Sequence, residues 1–116
     1  SVDIKCSILR IIGKHACEEN KQILLSVLTQ YKNSEDWAQA AVAATMLENY
    51  SGDSQVTSAL YEAISSPNWY VRKNGANSLI EVGEYDEHVN YIANGKDRYA
   101  SNALAYAMRN RKESGT

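Results

Sequence analysis

The sequence predicts an all-α fold, an α-α superhelix of about seven antiparallel helices forming a single domain. Three observations lead there. Apolar residues recur at helical spacing along nearly the whole chain, and no alternating run of strand length competes with them. The inter-helix segments are two to five residues, short enough to make neighbours antiparallel. The third is a repeat. Asn68-x-x-Val71-Arg72-x-x-Gly75-x-x-Ser78-Leu79 returns 29 residues later as Asp97-x-x-Ala100-Ser101-x-x-Leu104-x-x-Ala107-Met108. It occurs 33 residues earlier as Glu35-x-x-Ala38-Gln39-x-x-Val42-x-x-Thr45-Met46. A period near 30 carrying helical periodicity means stacked helix pairs.

The elements follow in order. A first helix over 2–12 carries Ile4, Ile8, Ile11 and Ile12 as an inward stripe, widened by Leu9 and stopped at Gly13. A second, about 16–30, turns Ile23, Leu24, Val27 and Leu28 inward. Ser34 is a candidate cap for the third, with Glu35 and Asp36 suited to its positive N-terminal end. That helix runs to about Glu48 with a face of small side chains, Ala38, Ala41, Val42, Thr45 and Met46. After Gly52, Asp53 or Ser54 caps a fourth helix whose stripe is Val56, Ala59, Leu60, Ala63 and Ile64. Pro67 pushes Ser66 out of the helical region and ends it. A fifth helix covers 68–82 and stops at Gly83, and a short sixth covers about 86–93 with Val89, Ile92 and Ala93 inward. Asn94-Gly95 is a turn, and a seventh helix spans about 97–111, its basic last turn suited to the negative end of the helix dipole. The repeats are thus about 1–30, 34–65 and 67–94, followed by the unpaired helix 97–111. They form one domain over 1–112, with 113–116 as a tail.

Composition narrows the functional classes. The chain has 116 residues, 44% hydrophobic and 22% charged, with six Gly and one Pro, a globular rather than disordered composition. Its net charge of −2 is unevenly spread. Residues 96–116 hold Lys96, Arg98, Arg109, Arg111 and Lys112 against Asp97 and Glu113, and the remainder is acidic. A nucleic acid finds no continuous basic stripe on such a body, and the cluster Arg109–Lys112 is explained by its place at a helix end. The longest apolar run falls well short of a membrane span, and no signal-peptide core is visible. Two cysteines, Cys6 and Cys17, make no disulfide framework and read as buried free thiols of a reducing compartment. The expectation is a cytoplasmic protein that binds neither membrane nor nucleic acid.

The run Val71-Arg72-x-x-Gly75-Ala76-x-x-Leu79-x-x-Val82-Gly83 resembles the first-helix consensus of HEAT repeats, in particular the bacterial HEAT-like variant. Leu9-x-x-Ile12-Gly13 resembles the tail of the same motif. The resemblance covers three and a half repeats. It implies an α-α superhelix, right-handed in this family, that binds another protein or a flanking domain along the second helix of each pair. The family often carries an Asp–Arg ladder between layers. Here Arg72 alone holds the Arg position, with Gln39 and Ser101 at its counterparts, so no ladder is expected.

The outer faces of the second helices carry polar residues that name a binding surface. They are Glu19, Lys21 and Gln22 on the second helix; Gln55, Ser58, Tyr61 and Glu62 on the fourth; and Glu87, His88, Asn90 and Tyr91 on the sixth. Tyr61 and Tyr91 can equally fill seams between repeats, and seam-filling is the role expected of Trp37 and Trp69. Catalytic, metal and cofactor sites are not expected. His15, Cys17, Glu18 and Glu19 are metal-capable but lie far from any completing ligand. The acidic pairs Glu18-Glu19, Glu35-Asp36 and Asp86-Glu87 lie near helix N-termini, where negative charge is favoured. Enzymes among HEAT-like proteins do not match: the His-Glu dipeptides of deoxyhypusine hydroxylases are replaced by the reverse Glu87-His88, and the basic cleft of alkylpurine DNA glycosylases is missing. An accessory or lyase-type role with a small molecule between repeats, and a spacer within a longer protein, remain the alternatives. The first helix is apolar on a broad face with no polar helix before it. That predicts a segment of a longer protein or a chain that associates, possibly with itself, through this end.

Overall fold

A computed structural model of the chain describes residues 1–83 and 92–113, with side chains described to Asn110. Four of the helices begin where a side chain satisfies their free backbone N–H groups. Ser1 Oγ accepts from Ile4 N at 3.2 Å and opens α1 (Val2–Gly13). Asp53 Oδ1 accepts from Gln55 and Val56 and opens α4 (Ser54–Ala63). Asn68 does the same for α5 (Trp69–Glu81) and Asp97 for α6 (Arg98–Glu113). Such caps contribute about 1 kcal/mol each. Between α1 and α4 lie α2 (Glu18–Tyr31) and α3 (Trp37–Met46), the latter continued by a 3-10 turn, Leu47–Asn49. Among the described residues the fold is all-helical, without strands. The sixth predicted helix, about 86–93, falls outside the described residues except for Ile92 and Ala93, which pack half-buried against the core.

The helices contact one another in an alternating order. α3 packs on α1, α5 on α3 and α6 on α5, while α4 packs on α2. α1, α3, α5 and α6 thus succeed one another on one side, with α2 and α4 on the other and α2–α3 and α4–α5 joining the sides. The core runs through the middle, with Leu24, Leu28, Leu47, Leu60, Ile64, Leu79 and Leu104 fully enclosed. The radius of gyration is 13.2 Å, the value of about 13 Å expected for a compact domain of this length.

The side-chain bonds joining different helix pairs keep one sequence separation. Asn74 Nδ2 donates to Ala41 O (2.9 Å, 33 residues apart), and Ser78 Oγ to Ala44 O (2.6 Å, 34 apart). Asn49 Nδ2 donates to Gly13 O (3.0 Å, 36 apart), Gln22 to Gln55 (3.1 Å, 33 apart) and Ser65 to Asp97 (2.6 Å, 32 apart). The period read from the motif is therefore also the register of the contacts. Trp37 stacks on Tyr70, 33 residues on, with centroids 5.2 Å apart and planes at 12°. Trp69 meets Tyr106 edge-on at 5.4 Å.

Glycines do two different jobs here. Gly83 adopts φ +93°, the left-handed conformation that ends α5. Gly13 was expected to act similarly but lies inside α1 with ordinary helical geometry; a Cβ there would come within 2.3 Å of Met46 Sδ. Its role is close approach of α1 to α3. Gly75 serves α4 and α5 likewise, since a Cβ there would meet Ala63 Cβ at 3.0 Å.

Several expectations are corrected. On α1 the buried residues are Cys6, Leu9 and Gly13, whereas Ile4, Ile8 and Ile11 point outward and are 62%, 50% and 61% exposed. Two faces of this helix are apolar, and periodicity alone does not say which meets α3. Ile23 is exposed for the same reason, while Leu24 and Leu28 are buried. On α3 the deepest stripe is Ala40, Ala43, Ala44 and Leu47, because three helices surround it; the predicted face flanks this stripe. Ser34 does not cap α3. Its hydroxyl accepts from Asp36 N within the preceding turn, and the helix starts at Trp37 without a side-chain cap bond. Cys17 is exposed, not buried.

Candidate partner-binding surface

The predicted face is assembled from α2 and α4. Gln55, Ser58 and Glu62 fall on successive turns of α4, exposed, and line an open groove of about 510 Å³ against Gln22, Ser26 and Thr29 of α2. The floor is formed by Leu25 and Ala59, both half-buried. Two cross-links tie the walls together. Gln22 Nε2 donates to Gln55 Oε1, and Lys32 Nζ meets Glu62 Oε2 at 3.1 Å. Exposed pairs of this kind add little stability, about 0–1 kcal/mol, but they hold the helices in one relative position. Tyr61, named with this set, is half-buried against the core and does not line the groove. Glu87, His88, Asn90 and Tyr91 lie outside the described residues.

Lys21 was assigned to this outer face and is instead 5% exposed. Its ammonium sits between Asp53 Oδ2 at 2.7 Å and Glu18 Oε2 at 2.9 Å. The hydrogen bond Lys21 donates to Asp53, then the one it donates to Glu18, raises the Lys21 pKa; the same contact holds the Asp53 carboxyl below the ordinary Asp value. Asp53 thus caps α4 with one oxygen and secures α2 with the other. Asp97 repeats the device one layer on, its pKa lowered chiefly by the hydrogen bond from the Ser65 hydroxyl and then by the backbone N–H of Ala100. Sequence reasoning missed this role, although the 32-residue offsets Lys21–Asp53 and Ser65–Asp97 match the repeat and could have signalled it.

A second groove, also about 510 Å³, opens on the other side between α1 and α3. Asp3, Cys6 and Arg10 line one wall, and Trp37, Tyr70 and Asn74 the other. The neighbouring Arg72 fills a seam. Its guanidinium lies 4.3 Å from the Tyr99 ring centroid and 5.4 Å from that of Trp69, and Nη1 donates to Ser66 O at 2.9 Å. Arg72 therefore joins α5 to α6 through the Tyr99 ring.

The described acidic side chains with lowered pKa, Glu18, Asp53 and Asp97, are engaged in caps and ion pairs. Glu48 is shifted the other way, by burial and then by the charge of Glu81. Among the described residues no group of three or more His, Cys, Asp or Glu side chains could hold a metal ion, and no helix is long and apolar enough to cross a membrane. The chain matches no family model, no curated protein and no solved structure.

Proposed function

We propose that this chain is a HEAT-like interaction domain, a short right-handed α-α superhelix that binds a protein segment along its second helices without catalysing a reaction. What supports the superhelix is the constant separation of 30 to 36 residues in the side-chain bonds between helix pairs. What supports the binding face is the α2–α4 groove, open, polar-walled and fixed by Gln22–Gln55 and Lys32–Glu62. A groove whose walls are already immobilised loses little entropy on binding. The alternating helix contacts also fit a spacer joining flanking domains, but a spacer has no use for a groove of this form.

Affinity capture from source lysate, with the intact chain as bait, tests the reading. Partners are expected to be lost with Glu62→Lys and Ser58→Arg, while a Ser7→Arg control in the groove between α1 and α3 retains them. Because Glu62 also pairs with Lys32, a Lys32→Met variant separates loss of the ion pair from loss of a contact. Retention of every partner by Ser58→Arg and Glu62→Lys rejects the face. Loss with Ser7→Arg alone transfers binding to the groove at Trp37 and Tyr70, whose Trp, Tyr and Arg content is typical of interface anchors.

A further inference from the structure

Among the described residues, the end of the stack formed by α1 is a seam without a partner. Ile4, Ile8 and Ile11 are 62%, 50% and 61% exposed, and Ile23 of α2 is 43% exposed. Their spacing along α1, four and then three residues, is that of a coiled-coil seam rather than of scattered surface residues. The opposite end differs. The exposed residues of α6 include Arg98, Tyr99, Asn102 and Arg109, a polar surface that does not complement an isoleucine ridge.

We propose that two copies of the chain pair through α1, antiparallel across a two-fold axis, with Ile8 near the axis and Ile4 of one copy against Ile11 of the other. This inference goes beyond the partner-binding groove and stands without it. Charge selects the direction. Asp3 lies in the first turn of α1, and Arg10 in the last, followed by Lys14. Residues 3, 7, 10 and 14 share the same flank of the Ile seam, and in an antiparallel pair like flanks face each other. Asp3 then falls axially between Arg10 and Lys14 of the second copy, about 3 Å from each along the helix at the usual rise per residue. A parallel pair sets this flank against the opposite one, that of Lys5 and Ile12, and leaves Arg10 and Lys14 without an acidic neighbour. Opposed helix dipoles favour the same choice.

The available area suits such an assembly. Four helices in succession, α1, α3, α5 and α6, at the usual spacing of about 8–10 Å between axes, account for the longest dimension of the molecule, 37 Å. The end of the stack therefore measures about 27 × 25 Å, close to 680 Å² per copy, against about 800 Å² per partner in a standard stable interface. The polar far end prevents the head-to-tail addition that would build an open filament, so the assembly closes at two.

Sedimentation equilibrium of the intact chain, from micromolar to millimolar, tests this directly. The expected species is a dimer at twice 12.9 kDa, converted to monomer by Ile8→Glu and by Ile11→Glu, each with unchanged helical circular dichroism because both positions are surface-exposed. Asp3→Lys weakens the dimer, and adding Arg10→Glu with Lys14→Glu restores it. In a Cys17→Ser background, oxidised Ile8→Cys forms a covalent dimer. Ile4→Cys does so when mixed with Ile11→Cys but not alone. A monomer at every concentration, a mass that keeps rising past two copies, a dimer indifferent to Ile8→Glu and Ile11→Glu, or self-linking of Ile4→Cys overturns the proposal.

Discussion

The α3–α5 and α1–α3 interfaces use one register with different chemistry. Between α3 and α5 the small residues Ala41 and Ala44 let the side chains of Asn74 and Ser78 reach across to backbone carbonyls, and Trp37 lies flat on Tyr70. Between α1 and α3 contact is made at one end, where Met46 lies over Gly13 and Asn49 reaches the Gly13 carbonyl. Toward the N-terminus of α1 the two helices leave a groove. Layers close completely where small residues coincide with side chains that bond the neighbouring backbone, and only at a point where a single glycine does the work. The α3–α5 layer is thereby closed along its length, and the α1–α3 layer leaves an opening.

The comparison can be broken by filling the closed interfaces. Gly75→Leu forces a side chain between α4 and α5, where a Cβ already meets Ala63 at 3.0 Å. The expected cost of overpacking is about 1–3 kcal/mol, read as a lower urea midpoint at unchanged slope. Ser78→Ala removes the α5–α3 bond at its most buried point. A loss of about 1 kcal/mol is expected for the bond itself. At Gly13→Ala the new Cβ would come within 2.6 Å of Met46 Cβ, an atom that moves only with the α3 backbone, so an overpacking cost of about 1–3 kcal/mol is expected, little offset by the better helix propensity of Ala. Thermal unfolding is expected to show both glycine variants costing more than Ser78→Ala.

A pH series sharpens the same contrast through the two bridging carboxylates. Asp53 and Asp97 have folded-state pKa values below the ordinary Asp value. Their contribution is complete above that ordinary value and is lost as pH falls through it toward the lowered folded values. Lys21 is raised, so its contribution is complete below the ordinary Lys value and is lost as pH climbs through the raised one. Glu48, also raised, works against the fold near neutrality and gives stability back on mild acidification. Asp97→Asn, which keeps an N-cap of comparable quality, is expected to flatten the acid limb measured by chemical denaturation. An unchanged limb would detach the cap from the acid sensitivity.

Much of the fold was legible because helix stops are local chemistry. Pro67, Gly83 and the caps Asp53, Asn68 and Asp97 mark boundaries that the structure places within a residue or two of expectation. Orientation was less legible. A helix with two apolar faces, such as α1, and a helix surrounded on three sides, such as α3, give periodicity without direction. Lys21 shows the opposite failure, since a lysine on a helix face reads as solvated unless its carboxylate 32 residues away is considered with it. The groove residues Gln55, Ser58 and Glu62 were reachable because a polar face on an otherwise apolar helix is a local signal. Tyr61 was not, since tyrosine fits seam and surface equally well.

The account rests on contacts repeating at the period of the motif, and a double-mutant cycle on Trp37 and Tyr70 measures that most directly. Stacked rings one repeat apart are expected to show a coupling of about 0.5–1.5 kcal/mol in the stabilities of Trp37→Ala, Tyr70→Ala and the double variant. Trp37 with Tyr106, two layers apart, should be additive within about 0.5 kcal/mol. Additivity of Trp37 with Tyr70 would contradict the register on which the stack, its grooves and its exposed end depend.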